Sequence, residues 1–386
     1  MKNEIDAALR RAVESGAVPG IAAAAGHAGG LLYEGGFGRR GLDQEAAMTP
    51  DTVVWIASMT KAITTVAALQ QVEAGRLSLD GPIAEVLPDL AQPQVLTGFA
   101  PEGGEPMLRP ARRPLTLRHL LSHTAGFGYD FFNAEIGAFM AARGVPGVIS
   151  CERAALATPL LAEPGERWEY GIGIDYAGLA VEAVTGQRLD AVLRERVLDP
   201  LGMRDTGFRL GATQRARLAS MHAKAPDGTL SVIPFEVPQE PEFHMGGGGL
   251  YGTVLDYLRF CRMWLNGGTL DGARILAPET VREAMRDQIA PLEVPPLRSA
   301  IPASTNDLEL FPGMRKGWGL SFLINIEDVP QGRAAGSLAW AGLANTYYWI
   351  DPRRDRAGVI ATQILPFADA AVLEAFAAME RAVYAG

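Results

Sequence analysis

Residues 55 to 64 read WIASMTKAIT, an apolar stretch that carries Ser58 and, three places on, Lys61. Lysine is scarce in this chain and occurs only at positions 2, 61, 224 and 316. On a helix, positions i and i+3 share a face, so the hydroxyl and the amine can touch. A serine hydroxyl is a weak nucleophile until a base takes its proton, and a lysine kept neutral by burial can be that base. The pairing points to acyl transfer through a covalent serine intermediate. The bland alternative is a serine that follows a helix cap and a lysine whose amine reaches water.

A Ser-His-Asp site is the rival arrangement. No serine sits in a G-x-S-x-G turn, which removes its best marker, and no pair of histidines forms H-E-x-x-H. His27, His119, His123, His222 and His244 still allow a triad in principle, but His119 and His123 share a helical face that suits packing or capping. Cys151 and Cys261 lie far apart with no ligand partner at metal spacing, so neither a disulfide framework nor a zinc site is encoded. The glycine run at 246–249 lacks G-x-x-x-x-G-K-[ST], which argues against a phosphate loop. The expectation is an enzyme with no metal and no cofactor.

The elements that must position these residues are readable in outline. Asp51-Thr52 offers N-cap chemistry, and apolar residues recur at helical spacing from Met59 to Val72 until Gly75, so Ser58 falls near a helix's first turn. A first helix ends near Gly16, and PGIAAAAGHAGGLLYEGGFGRR reads as a hairpin of two strands. From about 115 to 205 the pattern is mostly helical. Near the C-terminus GWGLSFLINI, GSLAWAGLANTYYWI and RAGVIATQI read as three antiparallel strands, followed by a helix over about 367–384. The predicted fold is α+β: an antiparallel five-stranded sheet flanked by terminal helices, with a mainly helical domain inserted. Residues 1–80 and 206–386 would form the α/β domain and 81–205 the helical one.

Composition narrows the function further. The formal net charge is −9, and the acidic residues are scattered among arginines, so nucleic acid is disfavoured as a partner. No apolar run reaches the length of a membrane span, and the N-terminus MKNEIDAALRRAVESG has no secretory pattern. A cytoplasmic protein, monomer or homodimer, is the expectation.

Four segments resemble, in order, the serine β-lactamase/penicillin-binding protein superfamily: SMTK at 58–61, LRHLLSHTAGF at 117–127, PGERWEYGIGIDYAGLAVEAVTG at 164–186 and PLGMRDTGF at 200–208. Class C β-lactamases and family VIII carboxylesterases are nearest in pattern. The resemblance implies the β-lactamase/transpeptidase-like fold, with Ser58 as nucleophile and Lys61 as base. It makes Tyr170 a second base, its phenol lowered by two cationic neighbours, and gives the oxyanion hole to the backbone N–H groups of Ser58 and Leu343.

Two departures carry information. Where the family's lactamases and peptidases have K-T-G, this chain has Trp340-Ala341-Gly342, similar to the W-x-G of family VIII esterases. An indole there removes the charge partner for an anionic substrate and is expected to offer an apolar wall. Ile172 stands where the asparagine of Y-x-N would be. Phe127, Tyr129 and Phe131 are expected to line the substrate side, beside Trp340 and Gly342. Asp175, and Tyr129 again, are expected to fix Lys61 or Tyr170. The implied activity is hydrolysis of short-chain neutral esters, small molecules, by a serine carboxylesterase. A β-lactamase, D-amino-acid peptidase, acyltransferase or a non-catalytic penicillin-binding-like module are the alternatives.

Overall fold

The computed structural model describes residues 1–101 and 104–385. Its centre is a seven-stranded antiparallel sheet built from β1 (Gly20–His27), β2 (Gly30–Gly38), β3 (Lys316–Trp318), β4 (Leu323–Asn325), β5 (Leu338–Gly342), β6 (Thr346–Asp351) and β7 (Arg356–Ala361). The spatial order is β3-β4-β5-β6-β7-β1-β2, so the two ends of the chain meet where β7 pairs with β1. The α+β class and the flanked antiparallel sheet follow the expectation from sequence, but the sheet has seven strands rather than five.

The extra strands come from two turns that the pattern hides. GWGLSFLINI folds back between Trp318 and Leu323, and Ser321 takes a φ of +72° to do so. In GSLAWAGLANTYYWI, Gly342 pairs with Thr346 across the three residues Leu343–Asn345, and Asn345 takes the left-handed φ of +61°. A three-residue hairpin closed by a left-handed residue is a standard connection, and asparagine tolerates it better than most.

Strand alternation sends neighbouring aromatics of β6 to opposite faces. Tyr347 and Trp349 pack on Phe376 of the C-terminal helix α5 (Ala370–Ala385), while Tyr348 packs on Tyr257 of α4 (Val254–Leu265). The N-terminal helix α1 (Lys2–Glu14) buries Ile5, Ala8, Leu9 and Ala12 and lies beside α5. The two chain termini therefore cover one face of the sheet.

Between the sheet and the 81–205 segment runs α2 (Thr60–Glu73), buried along almost its whole length. It packs on α3 (Gly173–Thr185). The same segment carries a hairpin, Gln94–Phe99 with Pro106–Pro110, that the sequence pattern did not suggest. Among the described residues no helix is long and apolar enough to cross a membrane.

Candidate active site

Ser58 sits in a tight turn, Ala57–Met59, at the head of α2. Ala57 holds a φ of +45°, a conformation that L-residues rarely adopt, and Ser58 is left partly exposed. The turn is gripped on three sides. Gln363 takes the Trp55 N–H on its side-chain oxygen at 2.9 Å and gives its amide N–H to the Trp55 carbonyl at 3.1 Å. Ile56 donates to the Leu250 carbonyl, and Leu250 donates in turn to Thr60 Oγ1. Tyr257 donates its hydroxyl proton to the Met59 carbonyl, tying α4 to the turn.

On the remaining side β5 lies against the turn backbone. A Cβ at Gly342 would meet the Ile56 carbonyl oxygen at 2.3 Å, so only glycine permits the approach. Leu343, the next residue, reaches the cavity in front of Ser58.

Lys61 is 1% exposed. Its amine lies 3.1 Å from Ser58 Oγ and 3.0 Å from the Tyr129 hydroxyl, and it donates to the Gly247 carbonyl at 2.6 Å. Burial pulls its pKa down to about 7, while the charge of Asp175 works in the opposite direction. An amine so placed is available as a free base near neutrality.

Tyr170 is buried with its ring 4.8 Å below the Lys61 amine, and its hydroxyl accepts from the Trp340 indole at 2.9 Å. The depressed phenol expected from two cations is absent: burial pushes its pKa up, against hydrogen bonds with Ser58 and Trp340. Burial is the largest cause, and the W-x-G departure removes the lysine that would have opposed it. Trp340 contributes a neutral donor where a cation would have lowered the phenol.

Trp340 consequently belongs to an aromatic box, edge-on to Trp318 at 4.6 Å and to Tyr170 at 5.0 Å, and lies outside the lining of the main cavity. It supports Tyr170 rather than walling the substrate. His123 packs in the same box, 4.7 Å from the Tyr170 ring, and burial keeps it well below the usual imidazole range.

A cavity of about 240 Å³ opens on Ser58. Tyr129 and Phe131 line it, whereas Phe127 stacks on Tyr176 in the interior and Gly342 lies behind, against Ile56. Much of the remaining apolar wall comes from Trp55, Phe235, Val148, Ile149, Met245 and Ile301, which sequence reasoning did not name. Only Trp55 had a signal, three places before Ser58; the others arrive from loops distant in sequence. Asp130 is the single charged side chain in the lining, and among the described residues no lysine, arginine or histidine joins it.

The glycine run also has its explanation here. The Gly247 N–H donates to Asp175 at 2.8 Å and its carbonyl accepts from Lys61, while a Cβ would strike Asp175 Oδ2 at 2.5 Å. Among the described residues no group of three or more His, Cys, Asp or Glu side chains gathers as a metal would require.

The fold is that of the β-lactamase/transpeptidase-like superfamily. The chain belongs to the Beta-lactamase family, whose model matches residues 5–382. It is 33% identical to "Lovastatin esterase" of Penicillium rubens, over 94% of this chain and 93% of that protein. It is 32% identical to "Monacolin J acid methylbutanoyltransferase" of Aspergillus terreus, over 99% and 95%. A mutant simvastatin synthase (LovD) from Aspergillus terreus superposes with a TM-score of 0.86 at 32% identity, covering 99% of this chain and 96% of that one. "EstCE1, a hydrolase with promiscuous acyltransferase activity" has the same fold, with a TM-score of 0.76 at 23% identity over 98% of each chain.

Proposed function

We propose that the protein is a serine carboxylesterase that cleaves short, uncharged acyl esters through an acyl-enzyme on Ser58. The observation that carries the reading is the cavity: it is mainly apolar, opens on Ser58 and, among the described residues, has no cationic side chain in its lining. A substrate carboxylate would find no partner there and would face Asp130. A relative named as an esterase, matched over nearly the whole of both chains, supports the same choice.

Lys61 takes the Ser58 proton as Oγ bonds to the ester carbonyl carbon, and the carbonyl oxygen gains charge between the N–H groups of Ser58 and Leu343. Tyr170, a neutral phenol held by the Trp340 indole, passes its proton to the departing alkoxide as the C–O bond breaks and recovers one from the Lys61 ammonium, which leaves Lys61 a free amine. Water then adds to the acyl carbon and gives a proton to Lys61, which returns it to Ser58 Oγ as the acyl–Oγ bond breaks and the acid leaves.

Two of the relatives named above are an acyltransferase and a simvastatin synthase, which favours a second reading in which an alcohol replaces water in the last step. An acyl-chain series of p-nitrophenyl esters, with nitrocefin and with an added alcohol, tests both. Short neutral esters are expected to be hydrolysed far faster than nitrocefin, and Ser58→Ala is expected to lose hydrolysis while keeping the fold. Preferential nitrocefin turnover, or full activity in Ser58→Ala, overturns the reading; acyl product made on the alcohol in preference to free acid moves it to transfer.

A further inference from the structure

Asp175 opens the first turn of α3 and is completely buried. One oxygen, Oδ1, accepts from the Gly247 N–H at 2.8 Å, and the other, Oδ2, has no hydrogen-bond partner among the described residues. In the next peptide unit, across the Gly247 Cα, the Gly247 carbonyl accepts from Lys61 at 2.6 Å. A buried carboxylate with an unsatisfied oxygen is costly, and such groups persist where a nearby cation or a function compensates them.

We propose that Asp175 is a positioning residue: by holding the Gly247 N–H it fixes the residue whose carbonyl holds Lys61, and its charge sets how strongly Lys61 grips a proton. The inference rests on the reading of Ser58 and Lys61 as an acyl-transfer pair. Its physical need is plain. A lysine buried without any counter-charge gives up its proton easily but is a weak base, and efficient transfer needs a base matched to the working pH. Asp175 restores part of the basicity that burial removes, and burial and the Lys61 charge act on Asp175 in opposite directions in turn.

Among the described residues, the groups facing this pair leave Asp175 as the sole anion. Tyr129, Tyr170 and Ser58 surround the Lys61 amine, and His123 lies behind with burial holding it neutral. Cys151 and Tyr176, on the Asp175 side, are both pushed up by burial and stay protonated at neutral pH. None of these supplies negative charge in the working range.

The test is the pH dependence of Ser58 labelling by a fluorophosphonate, which reports the nucleophile without requiring any ester to be a substrate. An anion favours the ammonium, so removing it lowers the Lys61 pKa. In Asp175→Asn the acid limb of the labelling rate is expected to move down by about one pH unit or more, with a lower plateau. An unmoved limb overturns the proposal, since a merely structural role lowers the plateau alone. A stability cycle gives a readout that needs no labelling. Lys61→Met is expected to destabilise the chain by stranding Asp175, and adding Asp175→Asn is expected to recover part of the loss. Additive losses overturn the proposal. Normal labelling with no ester hydrolysis sinks the esterase reading and leaves Asp175 in its role.

Discussion

A buried lysine beside a serine is a statement about protons before it is one about function. Because burial lowers the Lys61 pKa, the free amine is present above about pH 7 rather than only above the usual lysine range. Acylation requires that form, so kcat/KM for a short ester is expected to climb through about pH 7 and level off above it. A profile flat from pH 5 to 9, or one rising only beyond pH 10, removes Lys61 as base. Tyr170→Phe is expected to lower kcat by about a hundredfold, the lower end for a positioned proton-transfer group, with KM little changed. The candidates Ser58 and Lys61 were legible from their spacing, while Tyr170 and Asp175 were legible only beside the family resemblance. Gly247 and Gln363 were not, because one acts through its backbone and the other by clamping the backbone of Trp55. The placement of Trp340 was half legible: the missing cation could be read, but the direction of its indole depends on the β5 register.

At the scale of elements, the site depends on how closely β5 approaches the turn that carries Ser58. Gly342→Ala puts a methyl 2.3 Å from both the Ile56 carbonyl oxygen and Thr346 Oγ1. It is expected to cost about 1–3 kcal/mol in urea denaturation, the usual range for overpacking, and to slow acylation by displacing the Leu343 N–H. Wild-type stability and rate in this variant would mean that the strand can retreat without consequence. The strands themselves show where pattern reading stops. Apolar content located the three segments that hold the five C-terminal strands, but two reversals inside them rest on Ser321 and Asn345 in left-handed conformations, with neither glycine nor proline at the turn's centre. The hairpin of β1 and β2 was legible because Ala28-Gly29 interrupts two apolar runs.

For the whole molecule, the sheet holds only if the C-terminal helix stays docked. Arg333, 1% exposed on its side chain, pairs with Glu380 of α5 through contacts of 2.9 and 2.5 Å. Arg333→Met leaves the Glu380 carboxylate buried without its cation, and about 3–5 kcal/mol of stability is expected to go with it. Activity per folded molecule is expected to survive, because neither residue touches the cavity. A denaturation midpoint equal to wild type would show that the pair is dispensable. The cavity draws its walls from residues as far apart as Trp55 and Leu365, so its size was hidden until the chain was folded. The central claim is that chemistry passes through Ser58, and rapid-quench mass spectrometry with p-nitrophenyl butanoate tests it most directly. The account predicts one butanoyl group, formed before steady state and mapped to the peptide that contains Ser58. Hydrolysis at full rate with that peptide unmodified would contradict it.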